Sequence, residues 1–458
     1  MKILLIKPPA LIPKDWTGLT GIVPPLGLAY VAAVLEQNGH EVKILDAVAL
    51  NLTKTEVARE IKDFHPGLVG ITAMTASFKG ALEAAQIAHE SNAFVVIGGP
   101  HMAAYPRETL SYSYIDFGIV GEGEYPMAEL IKALEHGSPL ADIKGLVYRK
   151  GEEIIVNGSY IVDDLEALAF PARELLPNEK YSSIIGLHPV TTMITSRGCP
   201  YHCAFCAKQP SDEKYRARSA ANVADEMEMV IEKYGVREIM FYDDTMTVKR
   251  QHIDSICNEI IKRGLKVNWE TPIRINEVDE SLLSLMKKAG CLRLRYGIES
   301  GDPQILKNMN KNISLDMAKE VFRLTRKAGI ETFAYFMVGY LHETAQTMTN
   351  TLRLAKELDP DLVMFTVTVP YPNTPLYEQV RKEGLIIDSD YWQEFTLGKR
   401  NDKIPYLAPD ADKWLKKCYW SFYLRPGYIL KSIAKIHSWD SVIKHFQALS
   451  GLLEWKTR

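Results

Sequence analysis

Two alternations of apolar and polar positions run along the chain. In the first 137 residues, short apolar runs rich in β-branched residues stand at 2–7 (KILLIK), 41–46 (EVKILD), 67–73 (GLVGITA), 93–99 (AFVVIGG) and 116–122 (DFGIVGE). Stretches with helical spacing at 26–38, 54–64, 78–91 and 125–136 separate them. Near-continuous apolar strands alternating with helices predict an α/β fold, a doubly wound (Rossmann-like) parallel sheet. A second alternation follows, with strand-like runs at 190–198, 236–244, 266–274, 291–300, 330–339 and 361–369. A helical pattern follows each of the first five, for example 219–234 and 314–328. Six βα units with right-handed crossovers predict a partial (βα)6 barrel.

The expected division is therefore 1–137, a connector at 138–188, the partial barrel at 189–385 and a helical C-terminal extension at 386–458. The connector holds a hairpin-like GLVYRKGEEIIVNG and a proline-spotted FPARELLPNEKY. In the extension, aromatic residues such as Trp414, Tyr419, Trp420, Phe422, Tyr423 and Tyr428 recur at helical spacing, with Lys413, Lys416, Lys417, Lys431 and Lys435 between them. Arg425-Pro426 breaks this pattern into two pieces, which favours two amphipathic helices packed on the open side of the barrel. A wall of a substrate channel and a membrane-surface helix are the alternatives.

Composition narrows the function. A chain of 458 residues exceeds one ordinary core. Its net charge of −3 gives no reason to expect nucleic acid or an anionic membrane as a partner. The apolar start, MKILLIKPP, lacks a small-residue cleavage site and reads as a strand, and no run reaches the roughly 20 apolar residues of a membrane span. Six cysteines are too few for a disulfide framework here, so a reducing, cytoplasmic setting is expected, where clustered cysteines mean metal or catalysis.

The predicted strand ends carry the polar chemistry. In the first half, PPALIP, TAMTASF, GGPH and GEGE follow strands, and ligands of doubly wound sheets sit at those carboxyl ends. The first strand is not followed by GxGxxG, which argues against a dinucleotide. In the second half, TSRGCPYHCAFCAKQ puts Cys199, Cys203 and Cys206 just after the first barrel strand. Thiolates bind zinc or iron–sulfur clusters. A closed zinc site needs a fourth ligand, and Cys291 begins an apolar strand while Cys257 and Cys418 fall in packing positions. A 4Fe–4S cluster held by three thiolates leaves one iron open.

The spacing Cys199-x3-Cys203-x2-Cys206, with Phe205 before the last cysteine, resembles the signature of radical S-adenosylmethionine (SAM) enzymes. FYDD (241–244), PIR (272–274) and YGIESG (296–301) resemble that family's SAM-contacting segments. The resemblance implies SAM contacts from Phe241, Tyr242, Asp243, Arg274, Glu299 and Ser300. Arg274 suits the SAM carboxylate, and Glu299 suits its amino group or a ribose hydroxyl; an Arg274–Glu299 ion pair is the structural alternative.

The first half is similar to the cobalamin-binding domain that precedes the barrel in one radical SAM subclass, through residues 24–46, GGPHMAAYP (98–106) and GEGEYP (121–126). This implies cobalamin contacts from Pro25, Leu26, Gly27, Asp46, Thr72, Ser77, Gly98, Gly99, His101, Gly121 and Glu122. Many other cobalamin proteins place a ligating histidine two residues after the aspartate; here Val48 stands there, so an open lower face is expected, with His101 hydrogen-bonding the corrin amides. Two loops depart from the relatives' pattern, GYLHET (339–344) in place of GxPGET and YPNTPLY (371–377) in place of PGT. The resemblance implies a C-methyltransferase that uses one SAM to methylate cobalamin and another to make a 5′-deoxyadenosyl radical, with a ferredoxin or flavodoxin as electron donor. A peptide or protein side chain, such as a glutamine of methyl-coenzyme M reductase, is the expected substrate, with a lipid or another small molecule as the alternative. A cyclase or rearrangement enzyme, or a non-catalytic cobalamin or iron–sulfur sensor, is the alternative.

Overall fold

The computed structural model describes residues 1–9, 21–183, 187–208, 214–385, 391–400, 406–408 and 410–434. Residues 10–13 of the first polar loop and the expected helical continuation over 435–458 lie outside the described residues.

The first alternation folds as its period dictates. Strands β1 (Lys2–Lys7), β2 (Glu41–Asp46), β3 (Leu68–Thr72), β4 (Phe94–Gly98) and β5 (Phe117–Ile119) are parallel, in the order β2-β1-β3-β4-β5. Helices α1 (Leu26–Gln37), α2 (Lys54–Phe64), α3 (Phe78–Glu90) and α6 (Glu124–His136) cross between them, and two short helices, α4 (Pro100–Ala104) and α5 (Pro106–Thr109), follow β4. The strands bury Ile3, Leu5 and Val96 on one face and Leu4, Ile6 and Val95 on the other, as a sheet covered on both sides requires. The hairpin expected in the connector belongs to this sheet instead. Its strands β6 (Leu146–Lys150) and β7 (Glu153–Val156) extend the sheet beyond β5 as antiparallel members.

The second alternation gives β8 (Val190–Met193), β11 (Glu238–Phe241), β12 (Asn268–Ile273), β13 (Cys291–Glu299), β14 (Glu331–Val338) and β15 (Leu362–Val367), a parallel sheet in sequential order. Helices α7 (Ala220–Tyr234), α8 (Arg250–Arg263), α9 (Glu280–Lys288), α11 (Leu315–Lys327) and α12 (Ala345–Leu358) cover its outer face, with the short α10 (Pro303–Asn308) after β13. Alternate residues divide the two faces. Trp269, Tyr296 and Phe336 join the outer core, while Glu270, Arg293 and Arg295 point inward. Inside, Arg293 bonds Glu270 at 2.6 Å and Glu331 at 2.8 Å, so the floor of the half-barrel is a neutralised charge network.

The C-terminal segment does two jobs where one was expected. Helix α14 (Tyr391–Thr396), with α13 (Pro375–Lys382), reaches back to the first domain. There Tyr391, Trp392, Tyr377 and Tyr105 share one buried cluster, and Tyr112 Oη donates to the Thr396 carbonyl at 2.7 Å. Helix α15 (Ala411–Tyr423) lies on the barrel's outer face, with Leu415, Cys418, Tyr419 and Phe422 in the same core as Val363 and Phe365, and α16 (Pro426–Ala434) follows it. Among the described residues this is the packing role expected for the tail.

Helix α15 also solves a hydrogen-bonding problem. β15 is an edge strand, and its outer backbone groups lack a neighbouring strand. Tyr423 Oη accepts from Val363 N at 3.0 Å and donates to Val363 O at 2.7 Å. Tyr419 Oη does the same at Phe365, at 3.2 and 3.1 Å, and Tyr428 Oη donates to Asp361 O at 2.8 Å. Four helical residues advance about 6 Å and two strand residues about 6.6 Å, so Tyr419 and Tyr423 match the strand repeat. Replacing Tyr419 or Tyr423 by Phe leaves a buried N–H and C=O without partners. Each change is expected to destabilise the protein by about 1–3 kcal/mol in denaturant unfolding, with cluster iron content unaltered.

Candidate active site at the cysteine loop

The cysteines sit on a loop with a short antiparallel stem. In β9 (Ser196–Arg197) and β10 (Arg216–Ala217), Arg197 is the cross-strand partner of Arg216. The FYDD carboxylates hold this stem. Asp243 accepts from Thr195 N at 2.8 Å and from the Thr195 and Ser196 hydroxyls at 2.5 Å each, and Asp244 accepts from Gly198 N at 3.0 Å. Burial pushes the Asp243 carboxyl up to about 6, against the pull of these hydrogen bonds. Farther along, Tyr201 donates to Glu277, and Ala204 N bonds Met309 O at 2.9 Å. Phe205 packs against Ile305, Met309, Tyr340 and Leu376.

The three thiols feel one another. Burial raises Cys206 to about 11, and neighbouring Cys203 and Cys199 add to the shift. No group of three His, Cys, Asp or Glu among the described residues converges to hold a single metal ion. Three cysteines on one loop, with Cys257, Cys291 and Cys418 buried elsewhere, suit a 4Fe–4S cluster, which takes one thiolate per iron. Cys257, Cys291 and Cys418 are fully buried packing residues, as expected, and burial raises all three thiols. His202 is exposed.

Arg274 stacks its guanidinium 3.8 Å from the Tyr201 ring centroid, with Nη1 3.7 Å from Cys203 Sγ and Nη2 donating to Lys311 O at 2.8 Å. It pairs with neither Glu299 nor any other carboxylate shown here. Glu299 instead accepts from Lys311 Nζ at 2.8 Å. Lys311 has no motif signal in the sequence; it lies in a helix-to-helix loop 12 positions on, and only the fold brings it to the site. Glu299 has φ of 68°, uncommon for a residue other than glycine, where the β13–β14 register shifts. A Cβ on Gly297 would stand 2.4 Å from Glu299 Oε1 and 2.8 Å from Lys311 Nζ, so only glycine leaves this pair its space.

The other predicted SAM residues have varied roles. The Phe241 ring is in the outer core while its carbonyl accepts from Arg295 Nη2. Tyr242 is 43 % exposed inside the barrel, 5.0 Å from the Arg295 guanidinium. Ser300 is fully buried against Thr351, at 3.2 Å.

The residues predicted for cobalamin divide in the same way. A Cβ on Gly27 or Gly98 would meet no atom within 4 Å, and Met74, in the loop after β3, is 61 % exposed. Pro25, Thr72 and Ser77 are half-buried beside them, whereas Leu26 is packed in a core with Tyr30 and Val34. Others face protein. A Cβ on Gly99 would stand 2.8 Å from Ala73 O, and one on Gly121 2.2 Å from Tyr160 O. Asp46 is fully buried, accepting from Val48 N, Ala49 N and Tyr181 Oη at 3.0–3.2 Å. His101 is also fully buried, with Thr75 Oγ1 at 3.2 Å and Thr396 Oγ1 at 3.3 Å on its two ring nitrogens. Burial pushes its pKa down to about 3, so it is neutral.

Glu122 faces the barrel. It takes both arms of Arg216 at 2.8 Å, while Arg197 lies 3.3 Å away and reaches Glu124 at 2.7 Å. On the other side, Asn373 Nδ2 donates to Ala103 O at 3.4 Å. The carboxyl ends of the two sheets therefore meet across one interdomain space.

Residues 17–131 match the B12 binding domain family, and residues 193–355 match the Radical SAM superfamily. An uncharacterized methyltransferase of Pyrococcus horikoshii is 35% identical over 460 residues, covering 99% of this chain and 98% of that one. The chain belongs to the cobalamin-binding radical SAM methyltransferase family. An anaerobic magnesium-protoporphyrin IX monomethyl ester cyclase of Rubrivivax gelatinosus is 31% identical over 404 residues, 86% of this chain and 71% of that one. Among solved structures, the radical SAM methyltransferase TsrM of Kitasatospora setae, with cobalamin and a [4Fe-4S] cluster bound, shares the fold at a TM-score of 0.71 and 20% identity, covering 85% of this chain and 79% of that one. The family's cofactors are the cluster, SAM and cobalamin.

Changing Cys199, Cys203 or Cys206 to Ala is expected to abolish cluster iron in a colorimetric iron assay, whereas Cys257→Ala, Cys291→Ala and Cys418→Ala retain it. Zinc lost from Cys291→Ala would instead assign that residue to a metal site.

Proposed function

We propose that this protein transfers a methyl group to an unactivated carbon, using SAM both as methyl source and as radical source. The observation that carries this reading is the meeting of the two sheets' carboxyl ends, with Glu122 of one bonded to the stem of the cysteine loop on the other. When bound, the cluster supplies the electron that cleaves SAM, and cobalamin carries the methyl group.

The chain's own residues bind and orient. The cation of Lys311 and the guanidinium of Arg274 stand beside the cysteine loop, suited to the carboxylate of SAM. Glu299, held by Lys311, suits the SAM ammonium or a ribose hydroxyl. The strained turn at Glu299 fixes its direction. Tyr242 and Arg295 line the lumen below, and the packed floor of Glu270, Arg293 and Glu331 closes it to water. No helix among the described residues is long and apolar enough to cross a membrane, so an external one-electron donor of the ferredoxin or flavodoxin type can approach the exposed Cys206 side in solution. A peptide side chain such as glutamine is the first substrate to test; the support for it is the shared size and domain order alone.

A second reading, cyclisation without methyl transfer, draws on the cyclase relative. Incubation with SAM and a strong reductant separates the readings. Both make 5′-deoxyadenosine, but only methyl transfer also makes S-adenosylhomocysteine in amounts that depend on added cobalamin. A protein that makes neither is a binding protein.

Gly297→Ala tests the SAM site. Its methyl group displaces the Glu299–Lys311 pair, so SAM affinity is expected to fall about tenfold or more in equilibrium dialysis, with cluster iron unchanged.

A further inference from the structure

The cysteine loop is fastened to the cobalamin half at its stem. Arg197 and Arg216 are cross-strand partners at the base of the loop, and Cys199 follows Arg197 by two positions. Both arginines converge on the GEGE loop that follows β5. Arg216 is bidentate to Glu122 at 2.8 Å, Arg197 bonds Glu124 at 2.7 Å and lies 3.3 Å from Glu122, and Val162 N donates to Glu122 at 2.6 Å. The Arg197 guanidinium also sits 5.1 Å from the ring of Tyr30, on the helix that begins at the Pro25-Leu26-Gly27 turn. The side chains are 4–15 % exposed. Burial would raise the Glu122 carboxyl, but the Arg216 hydrogen bonds and the Arg197 charge outweigh it and hold Glu122 below its ordinary value.

We propose that this four-residue clasp couples the two cofactor sites, with Arg197 and Arg216 as positioning residues that make cobalamin binding tighten the cysteine loop. A fork-to-carboxylate pair has one favoured geometry, so a shift of the GEGE loop moves the stem with it. The GEGE loop follows β5 at the carboxyl end of the first sheet, and the stem carries the cysteine loop. Ordering either loop therefore lowers the cost of ordering the other, and the coupling is reciprocal. This inference rests on the two-cofactor reading above.

The experiment measures iron release from the reconstituted full-length protein to an excess of chelator, with and without bound cobalamin. In the native sequence cobalamin is expected to slow release about fivefold or more, the low end of ordinary allosteric coupling. Glu122→Gln, Arg216→Gln and the double variant are each expected to reduce this effect to under about twofold, the double no worse than the singles, as a shared interaction requires. Glu124→Gln, which removes the carboxylate bonded to Arg197 and leaves the Glu122–Arg216 pair, is the gentler version should the first set fail to fold. Gln393→Ala, which removes a 2.7 Å bond to Glu108 on the opposite interdomain contact, is expected to keep the full effect. A native protein that binds both cofactors without any effect of cobalamin on iron release overturns the clasp proposal, as does an undiminished effect in the clasp variants. A native protein that holds no cluster or no cobalamin overturns the two-cofactor reading itself.

Discussion

The structure depends on a seam of buried opposite charges between its two halves. Glu226, with no exposed surface, accepts from Arg173 at 2.6 Å and Arg218 at 2.5 Å. Arg173 belongs to the connector, and the neighbouring Ala172 N donates to Ala29 O at 3.0 Å, which ties that connector to α1. The Glu122, Glu124, Arg197 and Arg216 group continues the seam toward the cysteines. Charges withdrawn from water are tolerated only when paired, and loss of one partner from a buried pair typically costs about 3–5 kcal/mol. Such a seam adds little net stability over an apolar one, but it penalises every misaligned docking of the two sheets. Here alignment matters more than strength, because the chemistry lies between the halves.

Within the barrel, the same demand for pairing shapes the site. The inward faces of β12 and β13 carry Glu270, Arg293 and Arg295, whose opposite charges pair low in the lumen, Arg293 to Glu270 at 2.6 Å and Arg295 to Glu270 at 3.8 Å. The FYDD carboxylates spend their oxygens on the stem of the cysteine loop, which leaves the segment's backbone carbonyls for the SAM contact that the resemblance implies. Glu299 reaches its position by a backbone conformation that its residue type disfavours, and Gly297 clears the space for it.

Much of this was legible in the sequence, for a physical reason. Strands buried on both faces, helices between them and a glycine- and proline-rich cysteine loop each leave a local signature. Every expected strand of both sheets is present, within a few residues at each end. What local pattern could not show is which distant charges meet. The ion pairs of GEGE are invisible because its partners, Arg197 and Arg216, stand some 70–95 positions downstream, where they look like ordinary loop arginines. The hairpin reads as a connector because nothing in its own pattern says that β5 offers a free edge. His101 reads as a corrin-facing histidine because its partner Thr396 lies 295 positions away. Lys311 carries no motif at all, and only the turn after α10 returns it to Glu299.

The row of tyrosines along β15 has a consequence beyond the stability of one strand. A half-barrel has two free edges by construction, and each could recruit a strand from another molecule. On one edge Tyr419, Tyr423 and Tyr428 occupy backbone groups of Asp361, Val363 and Phe365; on the other, Arg173 donates to Thr192 O at 2.8 Å. Side chains thus take the place of the strands that a complete barrel would have. The sheet can stay open without becoming a template for polymerisation.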